Sequence, residues 1–283
     1  MKNKITILFV LITSTLFAQG FQGTAIYQWK QSSEDFKNTV LSDPKMDPAM
    51  RKVIEDRMSK LFNKTFVLNF DKNISIYKEE KALDINKQDG GGDWSPNGII
   101  ISYYKNIKTK QSITQTDLMS KIFNVQNSLA DYKWELSSQT KQIGSYLCYK
   151  ATTIIPVTQK EKADYEEEKA EQEKNNTQFF KIEEPKDKTI IAWYTPEIPV
   201  SNGPENYFGL PGLILEVNAG KTTLLCSKIA MNIKDTKEIK APTNAKLITQ
   251  KKYDEIVAKK MDELNHTHQD HDGNGGMQIK MGR

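Results

Sequence analysis

Residues 192–217 read AWYTPEIPVSNGPENYFGLPGLILEV, and the parsing of this stretch decides what the rest of the chain can be. Leu213, Ile214, Leu215 and Val217 make a short apolar run bounded by turn residues, the pattern of a buried strand. Ahead of it, Leu210-Pro211-Gly212-Leu213 has the spelling of a type II turn: Pro211 presets φ at about −65° and Gly212 would take the positive φ of the next position. Residues Gly209, Leu210, Pro211 and Gly212 are therefore read as a structural turn. Further upstream, Pro196, Pro199 and Pro204 each withhold a backbone donor, so residues 195–208 cannot be a regular ladder. They must form an ordered loop crossing between two strands. Architecturally this is a stiff connection; functionally, it could form one wall of a ligand pocket, with Trp193, Tyr194, Glu197 and Asn202 as the ligand-binding candidates.

Outward from the loop, strand signals recur. β-branched and aromatic residues alternate over 23–30, 65–70 and 73–77, with Asp71-Lys72-Asn73 as a hairpin turn between the last two. Further strands are expected at 98–105, 131–136, 146–155, 189–194, 213–217 and 222–233. Short sequential strands separated by turn signals imply an antiparallel sheet.

Three helices interrupt the pattern. The first has Asp47 as N-cap and Pro48 at its first position, and Met50, Val53, Ile54, Met58 and Leu61 fall on one face, so it is expected to lie against the sheet. The second, 158–175, opens with a capping box of Thr158 and Glu161 but has almost no apolar stripe, which makes it a solvated charged arm. The third, about 249–264, aligns Tyr253, Ile256, Val257, Met261 and Leu264 and reads as a second packing helix.

The chain's start gives its destination. Lys2 and Lys4, the apolar run from Ile5 to Phe17, and Ala18 before Gln19 have the layout of a secretory signal peptide over residues 1–18. Thirteen residues are too few to span a bilayer, and no later run approaches that length, so no membrane span is expected in the mature chain. The whole chain carries 40 Lys+Arg against 36 Asp+Glu, and its net charge of +4 drops to +2 once Lys2 and Lys4 are removed. That balance has no basic footprint for nucleic acid. No phosphate-cradling glycine loop, nucleophile elbow or zinc-protease helix is spelled anywhere, and no cofactor is implied.

Export bears on the two cysteines. Cys148 and Cys226 could pair as a disulfide in an oxidising compartment, or stand as two buried thiols on separate strands; the sequence suits both. All three histidines lie in the tail: His266, His268 and His271, whose imidazoles could reach one zinc, copper or nickel ion. Gly273, Gly275 and Gly276 follow, and a glycine-rich end of this kind points instead to weak, incidental metal binding by a flexible 265–283 tail. Asp89-Gly90-Gly91-Gly92-Asp93 has too few oxygen ligands at the right spacing for calcium.

The chain resembles the GLPGLI family of exported bacterial proteins. Gly209-Leu210-Pro211-Gly212-Leu213-Ile214 spells that motif, and Trp193-Tyr194-Thr195-Pro196-Glu197-Ile198-Pro199 with Gly203-Pro204 fits the block before it. Ile143-Gly144-Ser145-Tyr146-Leu147-Cys148-Tyr149-Lys150-Ala151-Thr152 looks like a second block, with weaker likeness over 66–77 and at Trp134. The charged arm is longer than that pattern and the His-rich tail departs from it. The resemblance implies a signal peptide and a β-rich exported domain, with no activity or catalytic residue to carry over.

Taken together these readings predict a mainly β (α+β) domain over 19–264. It would be a curved antiparallel sheet, bowl-like or a half-barrel, with two packing helices and an exposed charged insertion at 158–175. The expected role is a periplasmic or secreted cell-envelope protein, non-enzymatic, binding a small ligand or another envelope protein. The alternatives are an enzyme acting on glycan or peptide through paired carboxylates, and a metal-handling protein working through the tail.

Overall fold

The computed structural model describes residues 21–33, 46–80, 98–175, 184–232 and 238–271, with backbone alone for 57, 60, 61, 171, 173–175 and 265–271. The signal-peptide reading of 1–18, the 89–93 segment and residues 272–283 lie outside these. In chain order the elements are β1 (Gln22–Gln31), α1 (Pro48–Phe62), β2 (Asn63–Asp71), β3 (Ile74–Glu79), β4 (Ile99–Asn106), β5 (Gln111–Leu118), β6 (Lys121–Ser128), β7 (Glu135–Ile143), β8 (Tyr146–Ile155), α2 (Gln159–Asn175), β9 (Lys188–Thr195), β10 (Leu213–Ala219), β11 (Thr222–Met231), β12 (Lys246–Thr249) and α3 (Gln250–His271).

The twelve strands form one open sheet in the order β12-β6-β5-β4-β3-β2-β1-β11-β10-β9-β8-β7. Every neighbouring pair is antiparallel except β12 with β6. Hairpins account for most neighbours, and β1 closes the long-range gap by pairing with both β2 and β11. Its alternation sends Ala25 and Tyr27 inward, opposite Leu68 and Phe66 of β2. Gly23 is needed in the same row, because a Cβ there would stand 2.5 Å from the Phe70 ring. The β2–β3 turn is tied as its spelling suggests: Asp71 Oδ1 accepts from the Asn73 and Ile74 backbone N–H groups at 2.7 and 2.6 Å.

Two cores result. The larger joins β1, β2 and β3 to β8 through β11 and takes in Ile198, Val200 and Leu210 from the crossing loop. The smaller sets Tyr253 and Val257 of α3 against Leu118, Phe123, Val125 and Ile248, so α3 packs as its stripe predicts and continues to His271, beyond the expected end at 264.

Three sequence expectations differ from the structure. Strands β5, β6 and β12 are additional. β5 and β6 escape a hydrophobic-alternation reading because they bury polar side chains that satisfy one another: Gln115 Nε2 donates to Asn124 Oδ1 at 2.9 Å and to Asn244 Oδ1 at 2.6 Å. Residues 131–134 are not strand, and β7 starts at Glu135. Helix α1 has its expected cap, with Asp47 Oδ2 accepting from Met50 N at 3.3 Å. Its apolar stripe is only partly covered: Met50 is 59% and Val53 51% exposed, while Ile54 and Met58 are half-buried. The helix runs directly into β2, with Phe62 followed at once by Asn63, the first residue of that strand.

Candidate functional site

The crossing loop leaves β9 at Thr195 and rejoins the sheet at Leu213, two residues paired across the strands. Val200 N donates to Ile198 O and Asn202 N to Val200 O, both at 2.8 Å, giving two successive three-residue turns. The loop base is closed by Leu213 N donating to Ile198 O at 3.0 Å and Ile214 N to Asn202 O at 2.9 Å. These bonds use the few donors that the prolines leave.

The structural turn forms for a reason other than the expected one. Gly212 is not in the left-handed region; Gly209 is, at φ 99°. A Cβ on Gly212 would lie 2.1 Å from Thr195 O and 2.6 Å from its carbonyl carbon. Position 212 therefore requires the absence of a side chain where the loop backbone presses on the end of β9, and the type II assignment is corrected accordingly.

Beyond Asn202 the loop lies across the inner face of β3 and β4. That face is set by register: Ser75 pairs with Lys105 and Tyr77 with Tyr103, so all four share it. Ser75 Oγ donates to Asn202 Oδ1 at 3.0 Å. The fully buried Lys105 donates through Nζ to Gly203 O at 2.6 Å and Tyr207 O at 2.9 Å, clamping the segment at both ends. Trp134 Nε1 donates to Phe208 O at 2.8 Å from the far side.

Glu205 stands in the middle of the clamped segment at φ 46°, a left-handed backbone that a residue with a side chain holds at a cost of roughly 1–2 kcal/mol. Its carboxylate lies within electrostatic reach of Lys105, Tyr77, Tyr103, Tyr132 and Tyr207. It forms no hydrogen bond or ion pair among the described residues. Burial pushes this carboxyl up to about 7 against the opposing influence of Lys105. Burial likewise pulls the Lys105 ammonium down to about 7, with Glu205 holding it up in part. The tyrosine hydroxyls rise, by burial first and then by Glu205: Tyr132 to about 12, Tyr77, Tyr103 and Tyr207 further.

Three buried polar atoms here have no hydrogen-bond partner: Tyr77 Oη, Asn202 Nδ2 and Asn206 Oδ1. Among the described residues only Asp117 Oδ1, on β5, shares that condition. Tyr132 adds an aromatic rim, its ring centroid 5.7 Å from that of Tyr207 and 5.5 Å from that of Trp134. Glu205, Asn206, Tyr207, Tyr103 and Tyr132 are each partly exposed, so the cluster opens to solvent. Chemically it combines a desolvated acid, a buried amine and unpaired amide groups on an aromatic bed.

Of the residues singled out from sequence, Asn202 belongs to this cluster and is fully buried in it. Tyr194 is buried against Tyr149 at 6.2 Å between ring centroids. Trp193, next along β9, faces the other way, with Lys141 Nζ 4.8 Å from its ring and Lys141 also paired to Glu216. Glu197 is exposed and accepts from Leu147 N at 3.0 Å. The structure therefore spreads the four candidates over different places. Cys148 and Cys226 are buried free thiols on β8 and β11, with β9 and β10 between them. Burial pushes both up, to about 11 and about 12. The side chains of His266, His268 and His271 lie outside the described residues, and no group of three metal-capable side chains gathers among the described ones.

Lys105, Glu205, Asn206 and the tyrosines were not legible as a site. The available signal was Lys105 in phase with Tyr103 on a strand, an inward lysine two residues from an inward aromatic. Glu205 had only its place after Pro204.

Residues 134–216 match the model of a family described as a protein of unknown function, Porph_ging. The match takes in both blocks on which the sequence resemblance rests. Two structures of PNGF-II, in C2 and P21 crystal forms, are similar at 15% identity, with TM-scores of 0.46 and 0.45. Each comparison covers 84% of this chain and 33% of the PNGF-II chain, so the chain spans about a third of that protein's length. No curated protein matches.

Proposed function

We propose that this is an exported cell-envelope protein, periplasmic or secreted, that holds a ligand on the face crossed by the 196–212 loop without transforming it. The observation that carries the reading is the Glu205 cluster. A strained, desolvated carboxyl that makes no hydrogen bond among the described residues, in a cluster with three orphaned polar atoms, is costly, by roughly 1–3 kcal/mol for each buried unpaired group. Such a cost, clustered at one partly open place, is what a binding site carries before its ligand arrives. Export rests on the charged and then apolar start of the chain.

The same reading bends the sheet into a bowl or half-barrel around the loop. Asn202 links Ser75 of β3 to Ile214 of β10 through bonds of 3.0 and 2.9 Å. One asparagine with two such bonds spans about 14 Å at most. Four strand spacings in a flat sheet would separate those strands by about 19 Å. Curvature brings the two halves within the reach of one side chain and makes the loop the floor of the concavity.

The test is mass spectrometry of small molecules released from the mature protein purified from envelope extract, beside the Glu205→Gln variant. A compound retained by the native protein and depleted in the variant is expected. An identical profile for both proteins would refute the reading.

A further inference from the structure

We infer that Asn202 and Gly203 form a self-modification site, in which the Gly203 backbone nitrogen attacks the Asn202 side-chain carboxamide and closes a cyclic imide in the buried base of the crossing loop. This chemistry needs no ligand and stands apart from the binding reading. An Asn-Gly pair is where such a closure meets least hindrance, because glycine puts no side chain beside the attacking nitrogen. The structure already holds the two groups together. Gly203 N donates to Asn202 Oδ1 at 2.9 Å. With a C=O bond of about 1.2 Å, the nitrogen stands roughly 4 Å at most from the side-chain carbonyl carbon.

The surrounding bonds suit the reaction. Ser75 Oγ donates to Asn202 Oδ1 at 3.0 Å, a donor placed where the oxyanion of the tetrahedral intermediate develops. Ile214 N donates to the Asn202 backbone carbonyl at 2.9 Å, where charge gathers as the Gly203 N–H is lost. Lys105 Nζ fixes Gly203 from its other side through Gly203 O at 2.6 Å. Asn202 Nδ2, the group that departs, is buried and has no hydrogen-bond partner to hold it. The new bond joins Gly203 N to Asn202 Cγ, the Cγ–Nδ2 bond breaks, the Gly203 proton passes to Nδ2, and ammonia leaves; no oxidant or co-reactant enters. The product gives up the Gly203 N–H bond to Oδ1 and in exchange sheds an orphaned buried donor. Asn202 and Ser75 are wholly buried, with Gly203 and Pro204 buried beside them, so the water that would open the ring to aspartate or isoaspartate is kept away. The imide therefore persists in the folded chain.

The experiment holds the purified mature chain at neutral pH and physiological temperature, then digests it in mild acid, which preserves imides. Mass spectrometry follows the tryptic peptide 189–221, which separates this pair from the Asn-Gly pairs at 97–98 and 274–275. A form lighter by one ammonia is expected to accumulate, with fragment ions placing the loss at Asn202-Gly203. In the chain unfolded in guanidinium chloride the imide should be hydrolysed onward, so the ratio of imide to aspartate and isoaspartate should be at least tenfold higher in the folded chain. Ser75→Ala, shown to be folded by circular dichroism, should form the imide at least threefold more slowly. The comparison of folded with unfolded native chain needs no variant and decides the inference if Ser75→Ala does not fold. Absence of the ammonia-light peptide from the folded chain, aspartate appearing there without the imide, or an unchanged rate in folded Ser75→Ala would overturn the assignment.

Discussion

Replacing Gly212 by alanine isolates the reason the motif loop needs glycine. A methyl group at 212 would sit 2.1 Å from Thr195 O, 2.6 Å from its carbonyl carbon and 2.9 Å from Pro196 N, all backbone atoms at the end of β9. Ordinary contact begins near 3.4 Å, so the two backbones must part by more than 1 Å, at the point where Thr195 pairs with Leu213. That separation also strains the bonds from Leu213 N to Ile198 O and from Ile214 N to Asn202 O. Overpacking against immovable backbone together with weakened pairing amounts to roughly 3 kcal/mol or more. Gly144→Ala is the matched comparison: it has φ 58° and nothing within 4 Å of an added methyl group, so it meets conformational strain alone, about 1–2 kcal/mol. Urea denaturation of both variants against the native chain measures the two losses. Gly212→Ala is expected to lose at least twice as much as Gly144→Ala. Equal losses would refute the steric account, because they would leave only the generic cost of adding a side chain.

Lys105→Met removes the donor to two loop carbonyls and the cation that faces Glu205, and should lower stability by roughly 3 kcal/mol in the same assay; a loss below about 1 kcal/mol would show that the clamp contributes little. The pH dependence is unusual in sign. Between the ordinary Glu value of 4.5 and about 7, folded Glu205 keeps a proton the unfolded chain has lost, so stability falls as pH rises. Between about 7 and 10.5 the unfolded chain keeps a proton on Lys105 that the folded state lacks, so stability rises again. The pair therefore contributes a minimum near pH 7, of order 1–2 kcal/mol after screening of the partly exposed carboxyl. The melting temperature of the native protein relative to Glu205→Gln/Lys105→Met should pass through its lowest value near neutral pH, and a difference independent of pH would be the contrary result. Thr158→Ala removes the cap that accepts from Glu161 N at 3.1 Å and should reduce stability of the charged arm by about 0.5–1 kcal/mol, read as faster amide exchange in residues 159–163 with an unchanged global melting temperature.

Much of the architecture was written locally. The β1, β2, β3, β8, β9 and β10 strands, the Asp71 turn, the Asp47 and Thr158 caps and the packing stripe of α3 each follow from a few adjacent residues, because alternation, capping and turn geometry are short-range properties. The sequence also marked 195–212 as an ordered crossing, since each proline's missing donor is a property of that residue alone. Tertiary structure decided the rest. β5 and β6 bury amides whose partners are supplied by strand pairing and by residues near 242–245, so no window of sequence distinguishes them from loop. Gly212 is glycine because of Thr195, seventeen positions upstream at the end of the neighbouring strand, and not because of its own dihedral. The site itself is built from β3, β4, the 131–134 segment and the loop, which meet only when a sheet of twelve strands has set their register. A lysine on a strand and a glutamate after a proline are ordinary surface residues by sequence. What makes them a site is desolvation, and desolvation depends on which distant segments are folded over them.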